Sequence, residues 1–295
     1  MACPVCTPLP RQTVADQLIE AEVVAFGRVD PAQPFSFAAV TVLKGPFADR
    51  HVELFADSAT RRQLDAHGSW CVLLVKSKDG WVNLGVADEG HQKVVERILA
   101  FAPEWARAGG EKKRLEYFLS LWSHENRAIF EQAYLELGKA PYSAIKKFGA
   151  RLSHEELQPI LTRRDYLEWR ALAILLLAQR DDESARRCIT EAFENCARFS
   201  LTTNLSAWAT AYVEIHKAKG VAVIEQEYLK NEKRSEEEIR CVLAALAAHS
   251  QQGDFDLRER IIASYGSSVH PKAADAVREL RTLALQSSVQ DGRQP

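Results

Sequence analysis

The chain has almost no methionine: Met1 is the only one in 295 residues. It has no excess of charge, with 38 Lys and Arg against 40 Asp and Glu, a net of −2. Nucleic acid needs a basic face, so no nucleic-acid partner is expected. The balance gives no support to binding at an anionic membrane surface either. Long hydrophobic runs are missing too. The longest, Ala171–Ala178, falls far short of the roughly 20 residues that cross a bilayer. No transmembrane segment is expected, and this run reads as a helix buried on all sides. There is no phosphate-cradling glycine loop, no dinucleotide fingerprint and no Gly-x-Ser-x-Gly elbow. His154-Glu155-Glu156-Leu157-Gln158 begins like a zinc-protease helix, but Gln158 stands where the second histidine belongs. The eight histidines are scattered singly. No catalytic residue, cofactor or metal ligand set is therefore assigned, and a non-enzymatic role is favoured.

Apolar residues make up 46% and charged residues 26%, the profile of a globular protein. The texture changes near Pro103. Before it, short β-patterned runs separated by turns predict strands at Val23–Val29, Phe35–Leu43, His51–Phe55, Trp70–Lys76 and Trp81–Val86, with Phe35, Phe37, Ala39, Thr41 and Leu43 on one face of the second. Helices are predicted over Thr13–Glu20, Ser58–Ala66 and His91–Phe101, with Thr13 and Asp16 spaced as a capping box. Five strands with a helix between the third and fourth are the order of an OB-fold, a partly open five-stranded barrel.

After Pro103 the helical spacing i, i+3, i+4, i+7 recurs. Leu115, Phe118, Leu119 and Trp122 match it, as do Phe130, Ala133, Tyr134 and Leu137. Further stripes are Trp208–Ile215, Ile239–Leu246 and Ala273–Leu280. Trp122, Tyr134, Trp169 and Trp208 are expected in the core. Ser153-x-x-Glu156 and Ser235-x-x-Glu238 are further capping boxes. Helix pairs without a clean repeat suggest a degenerate HEAT-like array, with a globular helical bundle as the alternative. The expected fold class is thus multidomain α+β: an OB-like barrel over residues 1–102, a linker over 103–110, a HEAT-like domain over 111–286 and a flexible tail over 287–295.

Cys188 and Cys196 fall on one apolar helical stripe and read as core thiols. Cys3 and Cys6 form a Cys-x-x-Cys pair, and Cys71 is the other cysteine of the strand-rich part. These three are the candidates for a disulfide or attachment point. A thiol-redox pair or a metal site at Cys3 and Cys6 is the alternative, although no second Cys-x-x-Cys completes a zinc set. Ala2 before Cys3 suits the boundary left by signal-peptide removal, and a lipid anchor at Cys3 is open. The expected location is periplasmic or extracellular, with a cytoplasmic chain as the alternative.

Several stretches resemble a family of bacterial exported proteins. They are Cys3-Pro4-Val5-Cys6, Val23-Val24-Ala25-Phe26-Gly27-Arg28-Val29, Val42-Leu43-Lys44-Gly45-Pro46, Leu115-Glu116-Tyr117-Phe118 and Ala133 to Tyr142. The first domain of that family is similar to the OB-fold of tissue inhibitors of metalloproteinases, and a HEAT-like helical domain follows it. The inhibitors use Cys-x-Cys where this chain has Cys-x-x-Cys, so protease inhibition is not carried over. What the resemblance implies is a protein-binding or scaffolding role at the cell envelope. The partner would be a protein or envelope component.

Overall fold

The computed structural model of the chain describes residues 12–47, 50–250, 255–265 and 278. It is an α+β protein with one five-stranded antiparallel sheet and, among the described residues, thirteen α-helices. Packing divides it into two compact units between Leu137 and Gly138.

The first unit runs α1 (Val14–Glu20), β1 (Val23–Asp30), β2 (Gln33–Lys44), β3 (His51–Val52), α2 (Ser58–Ala66), β4 (Cys71–Ser77), β5 (Gly80–Ala87), α3 (Glu89–Trp105), α4 (Gly110–Leu119) and α5 (Arg127–Gly138). Thr13 caps α1 through the predicted box with Asp16. The strand order is β3-β2-β1-β4-β5. Successive side chains of a strand point to opposite faces, and both faces of this sheet are buried. Val24, Phe26, Leu73 and Val75 pack on one side with α1, α3, Phe118 of α4, and Ile129 and Ala133 of α5. On the other side Val72, Leu74 and Phe37 meet Leu64 of α2 and Ala56. This double burial explains why Val23–Phe26 and Cys71–Val75 are unbroken apolar runs. Gly45 turns the chain out of β2 with φ 77°, where any Cβ would strike the Glu22 carbonyl.

The barrel suggested by the strand count is not closed: among the described residues β3 and β5 remain as free edges. The third strand is shorter than its alternation implied. The Leu54 N–H bonds back to the Val52 carbonyl at 2.8 Å, a tight turn that ends β3. Side chains span the opening instead, with Phe47 packed edge-on against Trp81 of β5 at 4.9 Å.

Pro103 lies inside α3, on its exposed side near the C-terminal end. The residues beyond it still belong to the packing of the sheet. Arg114 of α4 makes two bonds of 2.8 Å to the Glu136 carboxylate of α5 and one of 2.6 Å to Asp16 of α1. Thr13 donates its hydroxyl to the same Glu136 carboxylate. A bidentate guanidinium–carboxylate pair fixes geometry as well as charge, so this cluster locks α1, α4 and α5 together.

The second unit contains α6 (Tyr142–Gly149), α7 (His154–Thr162), a 3-10 turn (Arg164–Trp169), α8 (Arg170–Leu177), α9 (Glu183–Phe199), α10 (Leu205–His216), α11 (Ala218–Ile224), a π turn (Glu225–Leu229), α12 (Glu236–Ser250) and α13 (Phe255–Tyr265). Both further capping boxes are present, at Ser153–Glu156 and Ser235–Glu238. α6 packs on α8, α8 on α10, and α10 on α12. α7 leans on α8, α9 and α11 on α10, and α13 on α11 and α12. α8 sits within this layer and is buried along its whole length, as its apolar run requires. The stripe Ala273–Leu280, apart from the backbone of Arg278, and the tail from residue 287 lie outside the described residues.

Of the four aromatic residues expected in the core, Trp122 and Tyr134 are buried, while Trp169 and Trp208 are half-buried. Trp122 stacks on Tyr134 at 5.8 Å and meets Phe130 edge-on at 5.6 Å. Its indole N–H has no partner. Trp122→Ala is expected to destabilise the first unit by about 3–5 kcal/mol. Trp122→Phe removes the unpaired N–H and keeps a ring, so it should cost less than half as much. Urea unfolding of the two variants beside the parent checks the order.

Candidate functional site

In the first unit, the beginning of β2, the segment after β3 and the first turn of α2 meet at the surface. Asp57 caps α2, accepting from the Ala59 and Thr60 N–H groups at 2.8 and 2.9 Å and from the Thr60 hydroxyl at 2.6 Å. That hydroxyl and those amides hold the Asp57 carboxyl below its ordinary value. Arg28 of β1 anchors the other end of α2 by donating to the carbonyls of Leu64, Gly68 and Trp70. The helix is thereby fixed against the sheet.

On this frame stand Phe35, Phe55 and Arg61. The Ala56 N–H bonds to the Phe35 carbonyl at 2.8 Å, which lays the two segments side by side. The rings of Phe35 and Phe55 are parallel, 6.3 Å apart, and remain 58% and 72% exposed. The Arg61 guanidinium sits 4.6 Å from the centre of the Phe35 ring. Its donors reach the Pro34 carbonyl at 3.4 Å and the Ser58 hydroxyl at 3.5 Å, while its Nε is buried with no partner among the described residues. Val40 and Val42, further along β2, are also exposed. Large exposed aromatics beside an arginine have the composition of a protein-contact hot spot.

By alternation Phe35 falls on one face of β2 with Phe37 and Ala39. Those two are buried, but Phe35 lies where β1 no longer runs opposite: its neighbour residues pair as Val29 with Phe37 and Asp30 with Gln33, across a register shift. Neither Phe55 nor Arg61 carried a sequence signal of its own.

The second unit holds a buried charge cluster that links the four layer helices. Glu214 of α10 is almost buried. It accepts from Lys217 at 2.7 Å, from Lys146 of α6 at 2.9 Å and from the Tyr142 hydroxyl of α6 at 3.2 Å. Gln179, just past α8, donates to that hydroxyl at 3.2 Å. His249 of α12 donates from Nε2 to the Thr210 carbonyl at 2.9 Å and turns Nδ1 toward Glu214 at 3.7 Å. Burial pushes the Glu214 carboxyl up, but the two ammonium groups outweigh it and hold the carboxyl below its usual value. Burial pushes His249 down to about 4, against the opposing pull of Glu214. At neutral pH the imidazole is uncharged, so its approach to Glu214 is a contact and not an ion pair. Lys217 has φ 53° and ψ −130°, a region that side-chain-bearing residues avoid. The cluster satisfies a buried carboxylate and pins the register of α6, α10 and α12.

Cys71 is a buried free thiol in β4, and burial raises its pKa. Cys3 and Cys6 lie outside the described residues. The structure brings His154 and Gln158 together at 2.7 Å on one turn of α7, a side-chain pair without metal-ligand character. Among the described residues no group of three or more His, Cys, Asp or Glu side chains converges to hold a metal ion. Among these residues, too, no helix is long and apolar enough to cross a membrane.

Two measurements follow from the charge cluster. Unfolded His249 takes a proton near pH 6.5 and the folded one only near 4. The unfolded state therefore binds more protons between these values, and stability must fall as the pH drops through this window. The loss is roughly 3 kcal/mol when complete, and Glu214, whose carboxyl is held below its ordinary value, adds to it at still lower pH. In His249→Leu, melting scans should lose the slope between pH 6.5 and 4.5 but keep the acid limb. Replacing Lys217 by glycine or by alanine removes the same ammonium, but only alanine stays strained. Lys217→Gly is expected to be more stable than Lys217→Ala by about 1–2 kcal/mol in urea unfolding.

No protein-family model, curated protein or solved structure matches this chain.

Proposed function

We propose that the chain is a non-enzymatic binding or scaffolding protein of the bacterial cell envelope. The first unit acts as an OB-like contact module and the second as a HEAT-like array. In support of the first, the order β3-β2-β1-β4-β5 is that of an OB barrel left open along its β3–β5 seam. In support of the second, α6, α8, α10 and α12 pack successively, and α8, α10 and α12 are flanked by α7, by α9 and α11, and by α13. The envelope location rests on the resemblance carried by Cys3-Pro4-Val5-Cys6 and its neighbours.

The observation that carries the binding role is the stacked, exposed pair Phe35 and Phe55. A core position would bury these rings, and their exposure gives the fold nothing. Phe35→Ser, Phe55→Ser is accordingly expected to melt like the parent, within about 0.5 kcal/mol. A photocrosslinking amino acid at Phe55 should join the protein to one predominant neighbour in producing cells. The same group at exposed Lys93 on α3 is the control. Equal labelling at the two positions, or labelling at Phe55 that survives Phe35→Ser, would overturn the reading.

A further inference from the structure

We infer that the Phe35–Phe55–Arg61 surface recognises an acidic peptide segment. A carboxylate of that segment engages Arg61, and a neighbouring apolar side chain covers the two rings. This rests on the protein-binding reading and specifies its partner chemistry.

The charge on the surface is not balanced from within. Arg61 has no carboxylate within ion-pair reach among the described residues. Its two contacts, a carbonyl at 3.4 Å and a hydroxyl at 3.5 Å, are at the outer limit of hydrogen bonding, and its Nε has none. Nearby acids are committed elsewhere. Asp57 caps α2, and Asp30 faces His51 at 3.1 Å. Asp65, one turn along α2, forms no ion pair with Arg61. A guanidinium has five donors in a planar fork that matches a carboxylate. Here the guanidinium already rests over the Phe35 ring, 4.6 Å from its centre, and its two long contacts hold it there, so less freedom remains to be lost on binding.

The size of the patch selects a segment over a folded surface. At 58% and 72% exposure the two rings offer on the order of 250 Å². A stable interface between folded partners needs about 800 Å² on each side. Two rings and one guanidinium match a few residues of extended chain, with the carboxylate and the apolar group on neighbouring positions.

The test uses the full chain and a phage-displayed random-peptide library, counter-selected on the Phe35→Ser, Phe55→Ser protein. Enriched clones should carry Asp or Glu next to a large apolar residue. The best clone, made as a labelled peptide, should bind Arg61→Gln about tenfold to a hundredfold more weakly than the parent. Arg61→Lys should recover part of the loss, and added salt should weaken the parent far more than Arg61→Gln. Clones that are neutral or basic, or equal binding by Arg61→Gln, would overturn the acidic preference. An absence of ring-dependent clones would overturn it as well. Crosslinking at Phe55 reports separately whether the surface meets a protein at all. Sedimentation of the parent as a dimer that the double serine variant abolishes would assign the patch to a second copy. Flotation with phosphatidylglycerol vesicles, lost in the same variant, would assign it to a lipid headgroup. Either result would also overturn the inference.

Discussion

The first unit depends on a sheet that must hide both faces. Val24, Phe26, Leu73 and Val75 point one way, and Val72 and Leu74 the other. A two-layer arrangement would leave one set in water, so elements are required on both sides. The face toward α1 and α3 is wide and draws in α4 and α5 to finish its cover. The opposite face is narrow and needs only α2, Ala56 and the aromatic contact of Phe47 with Trp81. The pairing geometry then decides what is left outside. With β3 stopped after two residues, the chain passes Phe55 over the rim and sets it beside Phe35.

The helical unit obeys a different constraint, the need to satisfy one carboxylate within an apolar layer. Glu214 could be satisfied by water only at the surface. Inside, it collects donors from α6 and from the α10–α11 junction. The strained backbone of Lys217 is what brings one ammonium back onto the helix that precedes it. A buried charge with directed partners costs stability relative to a packed apolar core, but it excludes sliding of one helix along the next.

Much of the architecture was legible in the sequence because it depends on local pattern. Alternation placed β2, short apolar runs between turns placed β1, β4 and β5, and three capping boxes placed the starts of α1, α7 and α12. What escaped depends on contacts distant in sequence. Pro103 read as a break, yet a helix tolerates proline near its exposed end; beyond it Arg114 reaches back to Asp16, 98 residues earlier, and Glu136 accepts from Thr13, 123 residues earlier. Trp208 sits on an apolar stripe and is still half-buried. The candidate surface was hidden for a similar reason. Phe35 continues the parity of Phe37, and only the register shift against β1 turns it outward. Glu214, Tyr142 and His249 are ordinary residues of three helices until folding brings them together.

Cys71 is the first residue of β4, opposite Ala87 of β5, with its thiol protonated and buried among the apolar residues on the α3 side of the sheet. Only a thiolate with room for its reagent reacts quickly. Alkylation at this position therefore waits for β4 to come away from its neighbours. The alkylation rate of Cys71 is a clock for opening of this end of the sheet, read in the native protein without denaturant.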